Sequence, residues 1–123
     1  MPNFPTIPRA FKTKRFSKSA SQALLTEMDL CTAFCEVLAG LADDLGGGVY
    51  KKRINKNEQR SILLAKGGQY WIYQHLFSKK NTANISQTEL KSFKQLAKVY
   101  EKLTDDQLSQ LINSKDLQEI CNG

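Results

Sequence analysis

Basic residues in the middle of the chain are the first feature that suggests a chemical function. Between residues 51 and 80 there are eight lysines and arginines and a single acid, Glu58. On a strand, Lys51 and Arg53 would project to one face and Lys52 to the other. Fixed cations on one face can bind a phosphate and stabilise the extra negative charge of a phosphoryl transition state. The spacing therefore predicts a site for a polyanion.

Three further cations could join this patch. Arg60 begins the next strand-like segment, and Lys79 and Lys80 follow the segment after that. If the three segments form an antiparallel meander, we expect these cations to converge on one end of the sheet. Each of them also has an ordinary explanation, as a solvated strand face or a polar turn.

The third strand-like segment, residues 69–78, is rich in aromatic side chains, as strands often are. Strict alternation predicts that Tyr73, His75 and Phe77 share one face. An imidazole can act as a general acid, and Tyr73 or Trp71 could stack a base. Packing within the sheet is the alternative explanation for all of them.

Several other chemistries are excluded by residue type. The chain has one histidine, and Glu58 is the only acid between residues 45 and 88, so a metal-dependent nuclease centre is not expected. Gly46, Gly47 and Gly48 lack the lysine of a phosphate-binding loop and are interpreted as a turn. We expect neither a metal nor another cofactor.

Cys31, Cys35 and Cys121 show no zinc-ligand spacing. We predict three buried reduced thiols in a cytoplasmic protein, with a redox pair of Cys31 and Cys35 as the alternative.

Charge is unevenly distributed along the 123 residues, whose formal net charge is +6. Residues 1–20 carry five bases and no acid, whereas residues 21–44 carry five acids and no base. A basic surface of this kind favours a nucleic-acid partner, although a solvated basic face is the alternative. Composition is that of a globular protein, no apolar run is long enough for a membrane span, and the first residues do not resemble a secretion signal.

Periodicity and capping predict the helices and strands that carry these residues. Three prolines predict an extended arm over residues 1–9, and hydroxyls at Thr26, Ser86 and Thr104 predict three helix starts. The order is arm, strand, two helices, three strands, then three helices, the last a final turn that Ser114 caps and that runs through Leu117 and Ile120. The full set of predicted segments is 10–16 (strand), 17–25 (helix), 26–41 (helix), 49–54, 60–66 and 69–78 (strands), 86–100 and 104–112 (helices), with Gly67–Gly68 as a hairpin turn. This predicts one α+β domain, a small antiparallel sheet with helices packed on one face.

The ordered motifs of the chain resemble a known family, from about Phe11 to Cys121. The resemblance rests on four segments: Leu45–Ile54 (LGGGVYKKRI), Gln59–Ser61 (QRS), Leu76–Lys80 (LFSKK) and Asn84–Ala97. Together they are similar to toxins of type II toxin–antitoxin systems in the RelE/HigB superfamily. The most similar branch has a Gly-Gly-Gly-x-Tyr-Lys-Lys-Arg strand and a helical C-terminal extension, here residues 104–123.

The resemblance implies a microbial-RNase-like fold and a ribosome-dependent endoribonuclease that cuts mRNA without a metal. A ribose 2′-OH would attack the adjacent phosphate and leave a 2′,3′-cyclic phosphate and a 5′-OH. It also implies a cognate antitoxin, often one with a helix-turn-helix DNA-binding domain. The N-terminal arm and the apolar, acidic helix 26–41 are candidate contacts for that antitoxin.

The resemblance also implies roles for individual residues. Lys51 matches the proton acceptor or phosphate contact, with Arg53 beside it, and Arg60 matches the arginine that stabilises the phosphorane. Lys80 falls where a second cation stands near the leaving oxygen. The family tyrosine or histidine on the later helix has no counterpart at residues 85–87, so the acid could be His75, Tyr73, Lys80 or a ribosomal group. The residues assigned to RNA contact are Lys52, Lys66, Tyr73 and Lys79.

Two other functions stay open on the sequence. The superfamily includes toxins that poison gyrase and lack the nuclease residues, and this chain could be one of them. A plain RNA-binding or interaction module would bind RNA with a steep salt dependence and cleave nothing.

Overall fold

The computed structural model describes residues 8–54, 58–66, 69–80 and 84–121, which leaves most of the predicted N-terminal arm and the Gly67–Gly68 turn outside the described residues. The helices are α1 (Lys14–Gln22), α2 (Glu27–Leu38), α3 (Gln87–Glu101) and α4 (Asp105–Asn113). The strands are β1 (Arg9–Thr13), β2 (Asp43–Gly46), β3 (Val49–Ile54), β4 (Gln59–Lys66), β5 (Tyr70–Ser78) and β6 (Leu117–Ile120). None of the helices in this part of the chain is long and apolar enough to span a bilayer.

Helix starts follow the predicted hydroxyls. Thr26, Ser86 and Thr104 each accept a hydrogen bond from the backbone N–H three residues on, and each forms a reciprocal capping box. The first helix begins three residues earlier than predicted, because Thr13 caps it by accepting from the N–H of Phe16.

The sheet has six strands in the order β2-β3-β4-β5-β1-β6. The predicted meander of β3, β4 and β5 is antiparallel, which confirms that part of the α+β fold. The sheet is mixed rather than antiparallel throughout, because β1 pairs with β5 in parallel. Such a parallel pair requires a crossover connection, and here the chain between β1 and β5 carries two helices and three strands.

Helices cover both faces of the sheet, whereas we predicted that they cover one. α1 and α2 pack on Leu63 and Tyr73, while α3 packs on Ile62 and Leu64 and α4 contributes to the same side. The reason lies in β4, where three consecutive apolar residues are buried on alternating faces. A continuous apolar run is typical of a strand covered on both sides.

A β-bulge in β5 changes which of its side chains share a face. Ile62 pairs with His75, but the next residue, Leu63, pairs with Tyr73, so Gln74 is an extra residue without a partner in β4. Strict alternation fails at this point, and Tyr73 and His75 lie on opposite faces. The predicted common face of Tyr73 and His75 is therefore wrong.

The end of the described chain is a strand where we predicted a helical turn. Residues 117–120 form β6, which pairs antiparallel with β1. Lys115 has a left-handed backbone conformation, with φ of 67°, which interrupts the helical backbone before β6 begins. Within its described residues, the predicted 104–123 helical extension is thus a helix, α4, followed by a strand, β6.

The cysteines also differ from the prediction. Cys31 in α2 and Cys121 after β6 form a disulfide, and Cys35 is a free, exposed thiol. Neither three buried thiols nor a Cys31–Cys35 pair describes this arrangement. The pairing could not be predicted because it depends on β6, which brings together residues 90 positions apart.

Candidate functional site

Strand register gathers the predicted cations on the face of the sheet that α3 covers. Arg53 of β3 lies opposite Arg60 of β4, which in turn lies opposite Phe77 of β5. The next row on this face contains Lys51, Ile62 and His75. Directly opposed residues of an antiparallel pair project to the same side, with Cβ atoms about 4.5–5.5 Å apart. We call Lys51, Arg53, Arg60, His75 and Phe77 the basic face.

The two arginines differ in their surroundings. Arg53 is exposed on its strand, whereas Arg60 is buried, with 6% of its surface accessible. A buried guanidinium presents its donors from a fixed position, and an exposed one can move toward an incoming group. The row therefore joins a rigid cation to an adjustable one, which suits a bound phosphate.

Lys51 lies at the junction of β3 and β2. Its side chain is 12% exposed, and its Nζ is 3.7 Å from the carboxylate of Asp43, its register partner in β2. The β2 strand was not predicted, and with only four residues it gives too short a pattern to recognise. Because β2 places Asp43 opposite Lys51, any phosphate that binds at Lys51 would compete with the Asp43 carboxylate for the ammonium group.

The tight turn before β3 fixes the start of this strand. Gly47 and Gly48 connect β2 to β3 with φ of 62° and 83°, which confirms the interpretation of the glycines as a turn. A Cβ on Gly47 would lie 3.0 Å from the side chain of Lys94 in α3, so this turn packs directly against the helix.

His75 is half-buried between two aromatic rings. Its ring centroid is 5.7 Å from that of Phe77 and 5.6 Å from that of Phe93 in α3. Burial lowers the pKa of His75, Glu89 raises it by a smaller amount and Arg15 lowers it. The imidazole is therefore predominantly neutral at neutral pH. Neither Phe93 nor Glu89 was predicted at this site. The Ser86 capping box and the helical spacing that follows it are the signals that place both residues on α3.

Lys79 and Lys80 lie at the same end of the sheet as the arginines. The backbone N–H of Lys79 donates to the carbonyl of Glu58, and that of Lys80 donates to the Ser78 hydroxyl. Both side chains are exposed. They extend the basic face beyond the end of β5, as the meander predicted.

Three predicted RNA-contact residues lie elsewhere. Lys52 is on the opposite face, where its Nζ is 3.3 Å from the carboxylate of Glu36 in α2. Tyr73 is completely buried there, and its hydroxyl donates to the Leu30 carbonyl at 2.7 Å, so it cannot stack a base. Lys66 is six residues along β4 from Arg60, about 20 Å away at the rise of a strand.

The described part of the site contains no cluster of metal ligands. Within the described ranges, no three or more histidine, cysteine, aspartate or glutamate side chains form a cluster that could hold a metal ion. The charged groups of the basic face are cations with Asp43 and Glu89 at its borders.

Comparison with known proteins agrees with this architecture. Residues 8–120 match the family described as the RelE toxin of the RelE / RelB toxin–antitoxin system. Comparison with curated proteins and with solved structures gives no match. The match covers nearly the whole chain, including every strand that builds the basic face, and so the protein belongs to the RelE toxin family.

Proposed function

We propose that this toxin is an endoribonuclease that cleaves mRNA on the ribosome without a metal ion. The attacking group is a ribose 2′-OH, and the products are a 2′,3′-cyclic phosphate and a 5′-OH. The observation that carries the proposal is the row of Arg53 and Arg60 beside Lys51 on one face. Cations held in advance where a phosphorane develops its charge stabilise the transition state more than any other single effect in catalysis of this kind.

The proposed roles follow from position and exposure. Arg60 and Arg53 bind the non-bridging oxygens of the phosphorane, and Lys51 contacts the phosphate or accepts the 2′-OH proton. Lys80 donates a proton to the leaving 5′ oxygen. His75 is a weaker candidate for that acid, because its lowered pKa leaves little protonated imidazole at neutral pH. Burial removes Tyr73 from the candidates.

Primer extension on a reporter mRNA after induced expression tests the activity. We expect cuts inside translated codons with the wild type and none with Arg60→Ala or Arg53→Ala. Arg53 is exposed, so its variant avoids the folding defect that a buried arginine can cause. Lys98→Ala, an exposed lysine in the last turn of α3, is the matched control and should cut normally. Circular dichroism verifies that each variant is folded.

Other results would favour the other functions. Growth arrest with DNA-damage signalling and no RNA cuts would indicate a gyrase-type target. RNA binding with neither arrest nor cuts would indicate a binding module. Cuts that persist at full rate in both arginine variants would show that the active site lies elsewhere.

The antitoxin is proposed to dock on the side opposite the basic face. Four of the five most exposed large apolar side chains of the described chain belong to the segment from the end of α1 to the start of β2: Leu24, Met28, Leu38 and Leu41. The same segment lies within residues 21–44, which carry five acids and no base. Exposed apolar side chains in an acidic segment fit an amphipathic partner with basic flanks.

The dissociation constant of the purified complex with a cognate antitoxin tests the surface. Met28→Glu should weaken the complex at least tenfold, because Met28 is 77% exposed and lies on the outward side of α2. Val99→Glu is the matched control, since Val99 is an exposed apolar residue of α3. Equal affinity of the two variants would place the antitoxin on another surface.

A further inference from the structure

The disulfide ties the last strand of the sheet to a helix on one of its faces. Cys31 lies in α2, and Cys121 follows β6 directly. β6 has four residues and stands at the edge of the sheet, where β1 is its one neighbour in the described strand order. The bond therefore adds a covalent link to a strand that is hydrogen-bonded on one side.

The other contacts of β6 are modest. Leu117 is buried with Phe11 and Leu108, and Ile120 is buried in the cluster beneath α1 and α2. Glu119 accepts from the guanidinium of Arg9 at 2.8 Å, but this ion pair is exposed to solvent and so adds little to stability. Short strands at the edge of a sheet open more readily than central ones. We therefore expect the disulfide to provide a large share of what holds β6 in place.

The backbone at both ends of β6 is strained. Lys115, between α4 and β6, has φ of 67°, and Cys121 has φ of 62°. This left-handed conformation is unfavourable for a residue with a Cβ, and the surrounding structure must hold it. At Cys121 the bond to α2 fixes the residue. Exposed Lys115 is a natural hinge, since it can relax when β6 leaves the sheet.

We propose that the Cys31–Cys121 bond is a redox switch that holds β6 in the sheet when oxidised and releases it when reduced. A dithiol reductant carries out the reduction: one thiolate attacks a sulfur of the bond to form a mixed disulfide, and the second thiolate displaces the remaining cysteine. The reductant leaves as a cyclic disulfide, and its two thiol protons pass to Cys31 and Cys121. Both cysteines are only partly buried, so a reductant can reach them.

Release of β6 acts on the edge of the sheet and not on the basic face. It leaves β1 unpaired on one side and uncovers Phe11, which is completely buried in the closed fold. An unpaired edge with apolar side chains attracts other chains and proteases. The basic face lies on β3, β4 and β5, which β1 separates from β6. The switch therefore sets the lifetime of the protein, and the inference does not depend on the nuclease function.

Hydrogen exchange of the backbone amides in the oxidised and the reduced protein tests the switch. On reduction, exchange of the ladder amides that join β6 to β1 should accelerate at least about tenfold more than exchange in β4, because β6 opens without the rest of the sheet. Cys121→Ser without reductant should exchange like the reduced wild type. Protection of its β4 amides verifies that this variant is folded.

Cys35→Ser is the matched control, because it removes the free thiol and keeps the bond. It should respond to the reductant as the wild type does. Acceleration by the same factor in β6 and β4 would show that the bond stabilises the whole domain and would overturn the proposal. Unchanged exchange of the β6 ladder on reduction, or three free thiols after mild oxidation of the purified protein, would overturn it too.

RNA cleavage is measured separately on the same two samples. Cleavage per folded molecule should be equal in the oxidised and the reduced protein, while proteolytic half-life should be shorter for the reduced one. A wild type that cuts no RNA in either state would contradict the nuclease proposal and leave the exchange result standing. Equal half-lives in the two states would overturn the effect of the switch on lifetime.

Discussion

Arg53 and Arg60 lie directly opposite each other on neighbouring antiparallel strands, although both are cations. Like charges in this arrangement destabilise a sheet by several tenths of a kcal/mol, up to about 1 kcal/mol. The rest of the fold offsets that cost, and a bound phosphate would remove it. In the proposed function, both guanidinium groups bind the same phosphate.

Arg53→Gln should remove the repulsion between the two arginines and so reveal its effect on the free energy of unfolding. We expect the variant to lose RNA cleavage while its free energy of unfolding stays the same or rises by up to about 1 kcal/mol at low salt. Urea denaturation at low and high salt measures the difference, which screening should reduce. Lys98→Gln, the same change of charge on α3, should leave both stability and cleavage unaltered. A clear loss of stability in Arg53→Gln would mean that the arginine serves the fold.

Tyr73→Phe tests whether Tyr73 contributes to folding stability or to RNA contact. The variant loses the hydrogen bond to the Leu30 carbonyl in a completely buried position, which should cost about 1–2 kcal/mol of folding stability. The ring still stacks on Phe16, so the fold persists. RNA cleavage per folded molecule should be unchanged. Reduced cleavage at full stability would instead support the sequence-based assignment of Tyr73 to RNA contact.

His75 should titrate below the ordinary histidine range in the folded protein. Because burial lowers its pKa from 6.5, the unfolded chain binds the proton more tightly between the two pKa values. The contribution of His75 to stability is therefore fully present above about pH 6.5 and is lost as pH falls through the folded pKa. It is the one histidine of the chain, so a single imidazole signal in an NMR titration reports its pKa.

Glu89→Gln provides the matching variant for His75. Glu89 raises the pKa of His75, so removing its charge should lower that pKa further. Glutamine can still complete the capping box with Ser86, and α3 should remain intact. A His75 pKa above 6.5 in the wild type would contradict the half-buried position between Phe77 and Phe93.

Reduction of the disulfide should destabilise the chain. Cys31 and Cys121 are 90 residues apart, so the disulfide restricts a long loop of the unfolded chain. Losing that restriction typically lowers the free energy of unfolding by about 2–4 kcal/mol. A reductant should lower the urea midpoint of the wild type and leave that of Cys121→Ser unchanged. Cys35→Ser, which removes the free thiol, is the control and should respond like the wild type. Three free thiols in the oxidised, denatured protein would show that the bond does not form.

Local signals in the sequence predicted the strands and helices that carry the basic face. The hydroxyl caps placed α2, α3 and α4, and the short connections placed β3, β4 and β5 in a meander. From those elements alone, Arg53 and Arg60 were expected to converge. Each of these signals involves only a few neighbouring residues. It can therefore be recognised in the sequence without knowledge of the fold.

Features that depend on distant residues escaped prediction. The bulge at Gln74 moved Tyr73 and His75 to opposite faces, and no residue type in β5 indicates it. The pairing of β1 with β5 and β6 joins segments from opposite ends of the described chain. Asp43 was missed for the same reason, because β2 exists only as the partner of β3.

The position of β1 has a consequence for synthesis of the toxin. β1 is made first among the strands, but its neighbour β6 is made last, and the sheet stays open along that edge until residue 120 has been added. Contacts of such long sequence separation form slowly and late. A nascent chain therefore displays an unpaired strand edge throughout its translation, and the domain closes only after nearly all of it has left the ribosome that made it.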